Sequence, residues 1–167
     1  MNNLERIWSG WRAAYVTGAT GELEGAGEGC LFCKLVELED EEAYVLERTA
    51  TTFTVLNAYP YTSGHLMVAP LRHEGELEAL TVEEGAAMFG ALQRAVLAMK
   101  KALSPEGVNI GANLGRVAGA GIPGHAHLHA LPRWSGDTNF MTTIAEARVL
   151  PEDLRTTWKR LRESWPE

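Results

Sequence analysis

The stretch at 124–134, GHAHLHALPRW, sets three of the chain's five histidines, His125, His127 and His129, at alternate positions. In an extended strand side chains alternate between faces, so the three imidazoles share one side, spaced about 6.6 Å apart. Ala126, Leu128 and Ala130 then share the other, small and apolar enough to lie against a helix. The histidines read as a reactive face, a metal site, or the solvent side of an amphipathic strand. Solvation alone is a weak account, because Thr, Lys or Glu would serve as well. The preceding residues sharpen the choice: GRVAGAGIPG (115–124) carries four glycines in ten residues. Backbone N–H groups free of side chains approach an anion closely and form an anion-binding nest. A plain hairpin connection is the alternative. A glycine loop feeding a histidine strand points to chemistry at phosphorus.

Working outward, VNIGANL (108–114) and HAHLHAL (125–131) read as strands joined by that loop. TFTVLN (52–57) and HLMVAP (65–70) form another antiparallel pair around AYPYTSG, with Pro60 and Gly64 as turn residues. The clearest helix begins at Thr81, where Thr81 and Glu84 make a capping box. Met88, Leu92, Ala95, Val96, Met99 and Leu103 form one apolar stripe, and Ser104-Pro105 with Gly107 ends it. A first helix is predicted from Leu4, Ile7, Trp8, Trp11 and Tyr15, followed by a flexible connector with glycines at 18, 21, 25, 27 and 29. A last helix starts near Pro151, with Leu154, Trp158, Leu161 and Trp165 on one side. The sum is an α+β protein: an antiparallel sheet of at least four strands with one long helix across it.

At 167 residues and 46% hydrophobic, the chain suits one domain with a full core. The expected organisation is a single domain, with a helix and connector over 1–29, a core over 30–150 and a helix over 151–167. A net charge of -7 argues against nucleic acid as a partner, since phosphate backbones demand basic patches. No run of about 18 apolar residues appears, and MNNLERIWSGW lacks a basic and an apolar signal region. A soluble, cytoplasmic protein with no membrane partner is expected. The two cysteines, Cys30 and Cys33, are no disulfide framework.

H-A-H-L-H-A-L also matches the histidine-triad signature, alternating histidines with apolar residues. NAYPYTSGHLMVAPLRH, GVNIGANLGRVAGAGI and PRWSGDTNFMTTI extend the likeness over about residues 30 to 155. The chain resembles the bacterial branch of the histidine-triad superfamily usually described as diadenosine tetraphosphate phosphorylases or hydrolases. That resemblance implies a five-stranded antiparallel half-barrel with a long helix, a homodimer, and nucleotidyl transfer through a covalent nucleotidyl-histidine. It makes His127 the nucleophile, its ring proton expected on a backbone carbonyl of a neighbouring strand. His129 would contact the α-phosphate and leaving side. Backbone N–H groups at Ala120 and Gly121 would hold phosphate oxygens, Asn57 the ribose, Leu56 the base, and Asn113 the phosphate or leaving group. Many members carry Ser or Gln in the loop; here Ala120, Gly121 and Ile122 stand there, so the backbone or Arg116 must serve. The substrate implied is an adenine nucleotide, best diadenosine tetraphosphate. A nucleoside phosphoramidase and a non-catalytic adenine-nucleotide binder are the alternatives.

The CLFC pair (30–33) admits a redox pair, a disulfide, two free structural thiols or a metal site. A redox pair expects a βαβ unit that this chain does not offer. Members of the superfamily with C-x-x-C complete a structural zinc site with the histidine after the strand end and the first triad histidine. Those positions are His73 and His125. His65 is expected to pack near the sheet without a catalytic part. Arg133 and Trp134 could edge the pocket, Trp134 equally being core or interface; Asp137 reads as a turn residue.

Overall fold

The computed structural model describes residues 29–138 and 150–166. The predicted first helix, with its tryptophans, lies outside the described residues, as does the stretch 139–149. Helix α1 (Leu31–Glu37) and a single turn, α2 (Asp40–Ala43), lead into strand β1 (Val45–Arg48). Then follow β2 (Thr52–Leu56), β3 (Leu66–Pro70), the long helix α3 (Val82–Leu103), β4 (Gly107–Gly111), β5 (Leu128–Arg133) and helix α4 (Leu154–Glu163). The five strands form one antiparallel sheet in the order β1-β2-β3-β5-β4.

Every residue of β2 and β3 is buried, because the sheet is covered on both faces. Leu56, Leu66, Val68 and Ala130 face one way, against Met88, Leu92, Ala95 and Met99 of α3 and Leu161 of α4. Phe53, Val55, Met67 and Ala69 face the other way, against Cys30 and Phe32 beside α1. His129 pairs with Met67 across β3 and β5, so it stands on the α1 side, while Leu128 packs on the α3 side. The alternation expected of the histidine stretch therefore holds for this part of it.

The capping box forms as predicted: Thr81 Oγ1 accepts from Glu84 N at 3.1 Å, and Glu84 Oε2 accepts from Thr81 N at 2.8 Å. Arg72, two residues past β3, donates to both oxygens of Glu84 at 2.9 Å and to Glu74 at 3.0 Å. Its guanidinium holds the Glu84 carboxyl down to about 2, and the same pairing fixes the loop after β3 against α3. That loop carries His73.

The two sheet edges differ. On β1, Trp158 Nε1 donates to the Val45 carbonyl at 2.9 Å and Arg162 donates to the Leu46 carbonyl, so α4 covers the edge. β4, the other edge, is largely exposed, with Ile110 54% exposed. Among the described residues no helix is long and apolar enough to cross a membrane.

The histidine stretch differs from expectation in one respect. The strand begins at Leu128, and His125, Ala126 and His127 precede it as non-strand backbone. Ala126 N–H leaves the sheet ladder to donate to the Glu74 carbonyl at 2.6 Å. This turns the entry of the stretch toward the His73 loop.

Candidate active site and metal cluster

Cys30 sits at the N-cap of α1 and Cys33 in its first turn, His73 follows β3, and His125 precedes β5. The ligand atoms of these four residues all lie within 4.8 Å of one another. Cys30 Sγ is 3.3 Å and Cys33 Sγ 3.8 Å from His125 Nδ1, and Cys33 Sγ is 3.4 Å from His73 Nδ1. Metal–sulfur and metal–nitrogen bonds of about 2.3 and 2.05 Å at a tetrahedral angle place S and N about 3.5 Å apart. The donors thus have the spacing of a tetrahedral S2N2 site, a set that suits zinc.

His125 Nε2 lies 2.9 Å from the Pro70 carbonyl, which can only accept. The ring proton is therefore on Nε2, and Nδ1 turns its lone pair toward the sulfurs, the arrangement that orients a metal-ligating imidazole. Burial also lowers the pKa of His125, favouring the neutral, ligating form. Burial and the neighbouring Cys30 push the Cys33 thiol up to about 11. The cluster can hold a metal ion.

His127 Nδ1 donates to the His125 carbonyl at 2.8 Å. The acceptor is thus two residues upstream in the same segment, not in a neighbouring strand, because the backbone at 125–127 has left the ladder. The lone pair of His127 is consequently on Nε2. The ring is 6% exposed and lies 4.9 Å, centroid to centroid, from Phe32, and burial lowers its pKa. The imidazole stays neutral and nucleophilic at neutral pH.

His129 takes the opposite tautomer, and the reason begins at Tyr61, five residues before β3. Tyr61 N–H donates to His65 Nδ1 at 3.2 Å, with Asn57 Nδ2 3.3 Å from the same nitrogen. A backbone N–H can only donate, so His65 carries its proton on Nε2, which lies 2.9 Å from His129 Nδ1. His129 Nδ1 accepts a hydrogen bond from that N–H, leaving the His129 ring's own proton on Nε2. His127 and His129, with centroids 4.9 Å apart and rings at 75°, thus pair a lone-pair nitrogen with an N–H donor.

Both rings open on a cavity of about 270 Å³. Of the residues singled out from sequence, Leu56, Asn57, Asn113, Gly121, His127 and His129 line it. Ala120 does not: it is buried, and its N–H donates to the Gly115 carbonyl at 3.2 Å. Asn57 Oδ1 accepts from Tyr59 N at 2.9 Å, closing the turn after β2. Among the described lining residues Glu42 is the one charged side chain. Arg133 is held by Asp137 and Asn109 at the end of β5, and Arg116 is exposed on the loop. Trp134 lines a larger cavity of about 620 Å³, which shares Tyr61 with the first and touches none of the three triad histidines.

Sequence reasoning missed Phe32, whose ring packs on both His125 and His127, and the direct contact of His65 with His129. It also passed over Leu31 and Leu35, which line the cavity. Their i, i+4 spacing beside the cysteines was the available signal.

The family model described as HIT domain matches residues 38–136. AP-4-A phosphorylase of Mycobacterium tuberculosis is 39% identical over 167 residues, covering 98% of this chain and 86% of that protein. Adenosine 5'-monophosphoramidase hnt1 of Schizosaccharomyces pombe is 27% identical over 126 residues, covering 75% and 90%. Among solved structures, a zinc-bound histidine triad family protein from Mycobacterium smegmatis aligns with a TM-score of 0.68 at 29% identity, covering 83% of this chain and 94% of that one.

The framework around the histidines makes a prediction. A Cβ at Gly75 would lie 2.7 Å from the Pro123 carbonyl oxygen and 3.1 Å from Gly124, whereas one at Gly85 meets nothing within 4 Å. Gly75→Ala is expected to destabilise the protein by about 1–3 kcal/mol, as overpacking does. Gly85→Ala, exposed in α3, is expected to stabilise it by about 0.5–1 kcal/mol. Urea unfolding of the two variants beside the parent checks both signs.

Proposed function

The chain belongs to the HIT domain family, and on that premise we propose that it is an enzyme that cleaves adenine dinucleoside polyphosphates through a covalent nucleotidyl-histidine. The observation that carries this reading is the opposed tautomer pair at the cavity. His127 Nε2 attacks the α-phosphorus; a P–N bond forms and the P–O bond to the leaving polyphosphate breaks. His127 becomes positively charged in that step, and its Nδ1–H bond to the His125 carbonyl strengthens as it does. His129 Nε2–H stabilises the developing negative charge on the phosphoryl or leaving oxygen. Phosphate or water then attacks phosphorus, releases the nucleotide and returns His127 to its neutral form.

The cavity divides the ligand by chemistry. Leu31, Leu35, Leu56, Met67 and Ile122 offer an apolar wall for a purine. Asn57 faces the ribose, and Asn113 and the backbone of Gly121 face the phosphates, with Ala120 supporting that loop from within. The full-length likeness to AP-4-A phosphorylase favours diadenosine tetraphosphate with phosphate as acceptor. Incubation with that dinucleotide in phosphate buffer is expected to yield ADP and ATP, and His127→Ala to lower turnover by at least about 10³-fold. AMP and ATP instead would make water the acceptor. Faster cleavage of an adenosine phosphoramidate would favour the second reading, to which the likeness to a monophosphoramidase points. Undiminished turnover in His127→Ala would refute the nucleophile.

Zinc fits the four-residue cluster, and when bound it supplies a structural tie between three segments rather than chemistry at the substrate. Cys30, Cys33, His73 and His125 would hold it. Metal analysis of the purified protein is expected to find about one zinc per chain, and none in a Cys30→Ser, Cys33→Ser double variant; a metal-free, folded parent contradicts this.

We further propose a homodimer, which the unequal edges support: α4 covers β1, while among the described residues β4 and the α3 face bearing Phe89 (60% exposed) and Leu97 (58%) are exposed. Light scattering is expected to give twice the chain mass, and Ile110→Asp the single mass. A parent already at the single mass rules the dimer out. The protein is further proposed to be a single domain and cytoplasmic, with no nucleic-acid or membrane partner.

A further inference from the structure

Helix α1 joins the metal cluster to the nucleotide cavity through one short segment. Cys30 and Cys33 face His73 and His125, Leu31 and Leu35 line the cavity, and Phe32, with 0% exposure, packs against the His127 ring. The helix has seven residues, too few to hold its shape in isolation, so its position depends on what anchors it. At its C-terminal end Arg48 donates to the Val36 carbonyl at 2.7 Å and the Leu38 carbonyl at 2.8 Å. At its N-terminal end, among the described residues, the segment is held by the cluster, by the burial of Cys30 and Phe32 in one core with Phe53, Val55 and Met67, and by the packing of Phe32 on the two histidines. The other two cluster members belong to a separate frame. Glu74, next to His73, accepts from Ala126 N, and Gly75 lies against Pro123. His125 is bound to Pro70. A cation shared by all four residues would therefore fasten α1, and with it one wall of the cavity, to the frame that carries the triad.

We infer that metal occupancy of the Cys30–Cys33–His73–His125 cluster sets the affinity of the cavity for adenine nucleotide, by holding Leu31 and Leu35 in its wall and Phe32 against the His127 ring. This rests on the zinc and adenine-nucleotide readings above and adds a coupling between them. Coupling is reciprocal, so bound nucleotide tightens the metal by the same factor that metal tightens the nucleotide.

The test uses AMP and zinc as probes. Calorimetric titration of AMP into zinc-loaded protein and into chelator-stripped protein is expected to show weaker binding after stripping, on the order of tenfold. A zinc-binding dye competing for the metal should need a correspondingly higher concentration when AMP is saturating. Far-UV circular dichroism of the stripped protein should keep the sheet and α3, while trypsin gains access to Lys34, the exposed lysine of α1. Equal AMP affinities in both forms, or zinc lost to the dye equally with and without AMP, would overturn the inference alone. So would collapse of the whole circular dichroism signal on stripping, because the metal would then hold the entire fold. A chain that takes up no zinc, or a zinc-loaded chain that binds no AMP, would instead overturn the readings beneath it.

Discussion

One residue, His125, fixes the geometry on which the rest depends. Its Nε2–H is committed to the Pro70 carbonyl, its Nδ1 faces the two cysteine sulfurs, and its own carbonyl receives the His127 ring proton. Three attachments of different chemistry converge on a side chain and backbone with no solvent exposure. The sheet sets the His125 ring, the ring aims at the metal cluster, and the backbone of the same residue aims the next imidazole. A hydrogen bond lost in such a buried place costs about 1–3 kcal/mol, which biases the His127 tautomer by roughly 5- to 150-fold. That bias keeps at least about five molecules in six with the lone pair on Nε2.

The second half of the site obeys the same logic with other groups. The N–H of Tyr61 fixes His65, and His65 fixes His129, so a backbone donor two imidazoles away decides which nitrogen of His129 bears hydrogen. One chain of bonds starts at a carbonyl and leaves a lone pair; the other starts at an N–H and leaves a donor. Two chemically identical side chains thereby present complementary groups to the cavity, the pairing that the proposed phosphoryl transfer would use. Burial keeps His127 neutral, which matches a nucleophile and spares the cavity a fixed charge beside the purine wall.

Much of this was legible in the residues, and the gaps have physical reasons. Thr81 and Glu84 announced α3 because a capping box is local chemistry, and the β-forming residues of TFTVLN and HLMVAP around the Pro60–Gly64 turn pointed to β2 and β3. β1 was not read from pattern: it has four residues, is interrupted by a register shift between Val45 and Glu47, and is stabilised by Trp158 and Arg162 from more than a hundred positions away. The triplet's spacing suggested a strand throughout. The first two histidines instead lie outside it, because Ala126 N–H goes to Glu74, a partner that no local pattern reveals. The resemblance named the four cluster residues, and the structure brings them together; it also placed Ala120 among the phosphate contacts, where its N–H serves Gly115 instead. Phe32 and the contact of His65 with His129 escaped notice because each residue looks like ordinary core until its distant partner is known.

The central claim is that the middle imidazole forms a transient bond to phosphorus while its neighbours fix the metal end and the leaving end. Rapid acid quench during turnover of diadenosine tetraphosphate, followed by peptide mass spectrometry, tests it most directly. The account predicts an adenylyl group on the peptide containing 124–133, localised to His127 and lost on adding acceptor. Turnover with no adduct at any time point, or an adduct localised to His125 or His129, would contradict it.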